Sequence, residues 1–165
     1  MRGMTEIVGK QLLKSAAIGG TAASLLSAAM LAVCSKLEQN SFAGGINGPS
    51  QWLWGEREAY TREATIKHTV VGYLIHHLTS TFWAAFYEKL FGGAQRKSAT
   101  RVVTEAATLS AAAYVVDYKL TPKRLRPGFE KHVSPPAMVV IYACFALGLA
   151  GATLWCHRSA ASRGT

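Results

Sequence analysis

Charge is scarce in this chain. Only 16% of its 165 residues are charged against 50% hydrophobic, where a soluble domain carries roughly 25% charged. Acids are scarcest: Asp and Glu together number 9, against 18 Lys and Arg. A soluble helical bundle spreads charge along the outer face of every helix. Here the charges collect at the ends of the apolar blocks, which is the membrane pattern. The formal charge of +9 has no continuous basic stripe behind it, so a nucleic-acid surface is excluded. The basic residues read as anchors at a bilayer interface, where anionic headgroups favour them.

Cysteine is sparse too, and its spacing excludes more than its count. Cys34, Cys144 and Cys156 lie in or at the ends of apolar segments, with no CxxC or CxxCH among them. That removes a zinc ribbon, a thioredoxin-like site and covalent c-type haem, and leaves buried free thiols. No Glu-x-x-His motif occurs, and Glu105 is the one acid deep in an apolar block, so a di-iron bundle lacks ligands. A nucleophile elbow, a phosphate-cradling glycine loop and a Ser/His/Asp set are also missing. The expectation is a protein without catalytic chemistry and with no predicted cofactor.

What is present is four apolar blocks. They predict an all-α integral membrane four-helix bundle, a single transmembrane domain over 1–165, with spans at about 12–37, 69–90, 98–120 and 136–157. The first block is longer than a signal-peptide core, and Val33 before Cys34 is a poor residue for lipoprotein cleavage, so it reads as a retained helix. Its small residues recur every fourth position: Ser15, Gly19, Ala23 and Ser27 on one line, Ala16, Gly20, Ser24, Ala28 and Ala32 on the next. Such spacing lets helix backbones approach closely in lipid, either within the bundle or, through Gly19 and Ala23, against a membrane partner or a second copy. Gly148, Gly151 and Ala152 offer the last block the same closeness, and Pro135-Pro136 suit its first turn.

Two long connections join the blocks. The first, Glu38 to Lys67, carries the turn signals Gly44-Gly45 and Asn47-Gly48-Pro49. Trp52, Trp54 and Tyr60 follow them, residues at home at the membrane–water boundary. This predicts an interfacial aromatic loop with a short helix over 49–58. The second, Asp117 to His132, is basic, and its Lys123, Arg124 and Arg126 suit an anionic headgroup or an acidic partner. An even number of spans puts both termini on one side and both long loops on the other. Lys and Arg divide nine to nine between the two sides, so the positive-inside rule gives no orientation; cytoplasmic termini are taken here.

The candidate site is the adjacent pair His76 and His77, near the middle of the second span. Ionisable groups at that depth face protein, a cavity or a ligand. At 100° per residue His76 shares a face with Ser80, Trp83 and Tyr87. Counting depth at 1.5 Å per residue sets Met30 and Tyr142 level with it and Glu105 roughly 10 Å away. Tyr142 or a helix-three carbonyl is the expected structural partner for these histidines. Arg101 is the expected i, i+4 partner of Glu105. As a ligand face, His76, His77, Ser80, Trp83, Tyr87, Tyr142 and Met30 suit haem or quinone better than a metal ion, because adjacent histidines diverge by about 100°.

The segments NGPSQWLWGE (Asn47 to Glu56), GYLIHH (Gly72 to His77) and VDYKLTPKRLRPGFE (Val116 to Glu130) give the chain a layout that resembles small uncharacterised bacterial inner-membrane proteins. The layout is similar to that of the YagU-like family, with four spans, a small-residue first helix and a histidine-bearing aromatic second helix. The resemblance implies a bacterial inner-membrane protein and assigns no functional residue. The reading from the residues is a non-catalytic membrane subunit or accessory protein that binds a membrane lipid or a membrane partner. The alternative is a redox or ligand-binding protein that holds haem, quinone or metal at the His76/His77 face.

Overall fold

The computed structural model describes residues 2–92 and 97–161, with side chains over 9–92 and 97–159. All regular structure among them is helical: α1 (Arg2–Gln39), α2 (Ala43–Asn47), α3 (Gln51–Trp54), α4 (Val71–Phe91), α5 (Ala99–Val115) and α6 (Pro135–Ala161). A π turn, Ile66–Val70, leads into α4, and another, Val116–Leu120, ends α5. Two of the helical stretches, Gly9–Gln39 and Pro135–Ser159, are long and apolar enough to cross a membrane. That is a narrower result than four spans. The histidines, Glu88 and Lys89 dilute α4, and α5 has only 17 residues.

α1 is the centre of the fold, packed along α4 on one side and α6 on the other, while α5 leans on α6. The small-residue lines of α1 make this geometry. Ala16, Ala23, Ser24, Ser27 and Ala28 are all buried. A Cβ on Gly20 would stand 2.5 Å from Thr81 Cα of α4. One on Gly148 of α6 would stand 2.5 Å from Ala23 Cα. Gly19 and Ala23 are therefore consumed within the molecule, between Leu149 and Ala84. The partner contact expected of them has no surface to use. Gly151, by contrast, faces open space.

The remaining connections fold as short helical turns. Asn47, Gly48 and Pro49 continue a helical path, with Gly48 at φ −44°, so the expected reversal at that tripeptide does not occur. The chain breaks instead at Gly55, φ +97°. Gly44 and Gly45 lie inside α2 because His132, Ser35 and Leu31 crowd them. Ser98 caps α5 by accepting from Arg101 N–H, and Pro135 opens α6 as its spacing suggested. The Arg101–Glu105 pair forms at 2.9 Å, with Lys97 on the other carboxylate oxygen at 2.6 Å.

Gly148→Ala forces its methyl into the α1 backbone and is expected to cost about 1–3 kcal/mol. Gly151→Ala meets nothing and is expected to leave the melting temperature unchanged or slightly raised. Thermal unfolding followed by circular dichroism in one detergent compares the two; equal losses would show that the α1–α6 approach is not the constraint.

Candidate functional site

The inward face of α4 borders a cavity of about 480 Å³. His76, Thr79, Ser80 and Trp83 of α4 line it, with Ser27 of α1 and Ile141, Tyr142 and Phe145 of α6. Ala113, Val116 and Asp117 at the end of α5 form the far wall. Trp52 and Pro49 from the first loop, and Thr121, Leu125, Pro127 and Phe129 from the second, close it from above. Leu78 and Phe82 line the cavity and are also exposed on the outside of α4, so the cavity reaches the molecular surface there.

His76 and His77 are held by α1. Ser27 Oγ donates to the Ala23 carbonyl at 2.7 Å, which leaves it to accept from His76 Nε2–H at 3.0 Å. His77 Nδ1 meets Ser24 Oγ at 2.8 Å. The partner expected for these histidines, Tyr142 or a carbonyl of the third helix, is thus replaced by two serines that the sequence offers only as small residues. The His76 ring stands edge-on to Phe129, centroids 5.6 Å apart. His77 does not reach the cavity and lies beside Tyr73 instead, at 6.0 Å.

Of the remaining sequence candidates, Ser80, Trp83 and Tyr142 share the His76 cavity. Tyr87 does not: it is buried about three turns beyond His76 along α4, among Ala16, Val102 and Leu149. Met30 packs against the Leu31, Tyr118 and Ile141 cluster and contributes nothing to the cavity wall. No group of three or more metal-ligating side chains assembles among the described residues. The polar centre that sequence reasoning missed is Asp117. Its Oδ2 accepts from Tyr142 O–H at 2.6 Å. In the sequence its only mark is a position at the end of an apolar block, beside Tyr118; the π turn that carries it under the loop is seen only in the structure.

The roof is a docking of the two long loops. Asn47 is fully buried; its Nδ2 donates to the Thr61 and Glu63 carbonyls, and its Oδ1 accepts from Thr69. Gln51 donates to the Arg126 carbonyl at 2.5 Å and accepts from Lys131 at 2.9 Å. Trp52 Nε1–H reaches that same Arg126 carbonyl at 3.2 Å, so Trp52 serves as wall and clamp. Gly48 and Gly128 cross so closely that a Cβ on either would stand 2.9 Å or less from the other's backbone. Trp54 turns outward, bonded to the Lys67 carbonyl, and Lys123 and Arg124 are exposed on the roof's outer side.

Two loop groups have shifted pKa values. His132 is buried, donates Nε2–H to the Ala59 carbonyl at 2.6 Å and leaves Nδ1 without a partner. Burial lowers its pKa from 6.5, and the nearby Arg62 and Lys131 charges lower it further. Glu58 is lowered from 4.5, first by its hydrogen bond with His68 and then by Lys67.

Ser27→Ala removes the hydroxyl that accepts from His76 Nε2–H and is expected to cost about 1–3 kcal/mol, most of it recovered in the double variant with His76→Leu. A denaturation cycle over the four proteins tests this; strict additivity would sink the pairing. The folded state holds His132 neutral, so its contribution is full above pH 6.5 and is lost as pH falls from 6.5 toward the folded pKa. Glu58 adds a second loss only below pH 4.5, where its salt-bridged carboxylate protonates. Melting temperature against pH should fall from about 6.5 downward, and His132→Gln should flatten that first limb; an unchanged limb would remove His132 from the account.

No protein-family model, no curated protein and no solved structure matches the chain.

Proposed function

We propose that this chain is a non-catalytic, multi-pass accessory protein of the bacterial inner membrane, and that it binds a membrane lipid or similar amphiphile in the cavity beneath the docked loops. The observation that carries the reading is the shared wall. Leu78 and Phe82 line the cavity and also belong to an exposed apolar stripe, Leu74, Leu78, Phe82, Phe86 and Leu90, along α4. A molecule dissolved in lipid would meet the stripe first and the cavity next.

Four spans are supported by how residues distribute. Large apolar side chains point outward on α1, α4, α5 and α6, while Ser24, Ser27, Ser35, Ser80 and Ser110 are 4% exposed or less. In water that arrangement wastes the hydrophobic drive; in lipid, small polar residues at close contacts are what hold helices together. With their π turns, the α4 segment from Ile66 to Phe91 and the α5 segment from Ala99 to Leu120 each exceed about 30 Å, the thickness of the hydrocarbon layer. The exposed Phe42, Leu53, Trp54, Tyr60 and Ile66 would then sit at the interface with Lys67, Lys123 and Arg124. The termini fall on the opposite, cytoplasmic side.

The lack of catalysis is argued from how the polar groups are committed. Ser27 gives its proton to a backbone carbonyl, so it is not a nucleophile poised on His76. Haem or metal at the histidine pair is disfavoured because only His76 reaches the cavity and no group of three or more metal-ligating side chains assembles among the described residues.

Native mass spectrometry of protein from gently solubilised membranes tests the reading. The expected result is a bound lipid or amphiphile mass, lost in Thr79→Phe, which places a ring inside the cavity. A haem or metal mass, or a lipid mass indifferent to Thr79→Phe, would overturn it.

A further inference from the structure

One group in the cavity wall lacks the partner its chemistry demands. Glu56, Glu58 and Glu105 each face a lysine, arginine or histidine. Asp117 faces no cation among the described residues; its one hydrogen-bond partner is the neutral Tyr142 hydroxyl. An ionised carboxylate in an apolar wall is costly unless a cation or several donors answer it. The same cavity is lined by the rings of Trp52, Trp83, Phe129, Tyr142 and Phe145. The electron-rich faces of such rings attract cations, and more strongly where water is excluded.

We propose that the ligand of this cavity is a cationic amphiphile, an amine or quaternary ammonium on an apolar body, with Asp117 as its counter-ion and the aromatic wall around its charge. The inference rests on the reading of the cavity as an amphiphile site and narrows its chemistry. The sign of the charge follows from what lines the cavity. Basic residues of the second loop, Lys123 and Arg124, are exposed on the outside of the roof, where water and salt screen them. The carboxylate of Asp117, half-buried in the cavity wall, is screened less. An anionic headgroup placed in the cavity would face Asp117 with no lining lysine or arginine to offset it. Entry past Leu78 and Phe82 would avoid the basic roof.

The test uses the full chain in nanodiscs of zwitterionic lipid, with empty discs subtracted, and isothermal titration of two probes. One is a phenylalkyl trimethylammonium ion; the other is its tert-butyl isostere, the same shape without charge. The expected result is roughly tenfold tighter binding of the ion by the natural protein. Asp117→Asn should lose that preference while still binding the isostere, which also shows that the cavity remains folded. Tyr142→Phe frees a carboxylate oxygen and should keep the preference. Equal binding of both probes by the natural protein, or a preference that survives Asp117→Asn, would overturn the cationic assignment and leave the amphiphile site standing. Binding of neither probe, together with no lipid mass from the purified protein, would overturn both.

Discussion

Everything in this fold depends on how closely α1 can approach α4 and α6. Backbone meets backbone at Gly20 against Thr81 and at Gly148 against Ala23, leaving no room for a side chain at either crossing. With α1 so placed, its serines fall opposite the two histidines of α4, and pairs that a wider crossing would keep apart come within 2.8–3.0 Å. The small residues thus do two things with one spacing: they bring the helices together and they supply the hydrogen-bond partners. In a bilayer the gain is van der Waals contact plus interhelical hydrogen bonds, because lipid offers no hydrophobic drive.

The same closeness creates the cavity. α1 draws α4 and α6 toward itself, and α5 follows α6. The sequence-adjacent helices α4 and α5 meet where Tyr87 packs with Val102 and Ala106, and part toward the loop end. Ile75, Thr79 and Phe82 of α4 then look across a gap toward Ala113 of α5 and Val116 of the π turn that follows it, with the loops lying over its end. Gly48 and Gly128 set how low the roof sits. Asn47 and Gln51, both fully buried and spending amide groups on loop backbone, hold it there.

The helices were legible because long apolar runs with charged ends have few other readings; most limits came within a few residues, but α1 begins ten residues before the expected 12 and α5 gives way to a π turn at Val116. The docking of the two loops followed from their shared side. What the sequence hid was rotation. Depth along a span is a count of residues, but which neighbour a side chain meets depends on how each helix is turned. Met30 was placed level with His76 and packs elsewhere. Tyr87 shares His76's face in projection and ends about three turns away in a different cluster. Ser24 and Ser27 were read for size alone, although a serine in a close helix contact is also a hydrogen-bonding group. The paired glycines of the first loop misled for a related reason: glycine marks close approach as readily as it marks a turn.

Asp117 was hidden by its position at a boundary. At the end of an apolar block an acid reads as the first residue of a solvated loop. The π turn Val116–Leu120 continues the helix through that boundary, and the second loop folds back over it instead of leaving. The carboxylate is thereby roofed by Thr121, Leu125 and Phe129 and anchored by Tyr142 from a helix 25 residues further on. A loop that merely connected α5 to α6 would leave Asp117 in water, where it would be one more interfacial charge. The docking of the loops turns it into the one acid among the cavity's lining residues, so the Gln51 and Trp52 bonds to the Arg126 carbonyl govern how far that carboxylate is shielded from water.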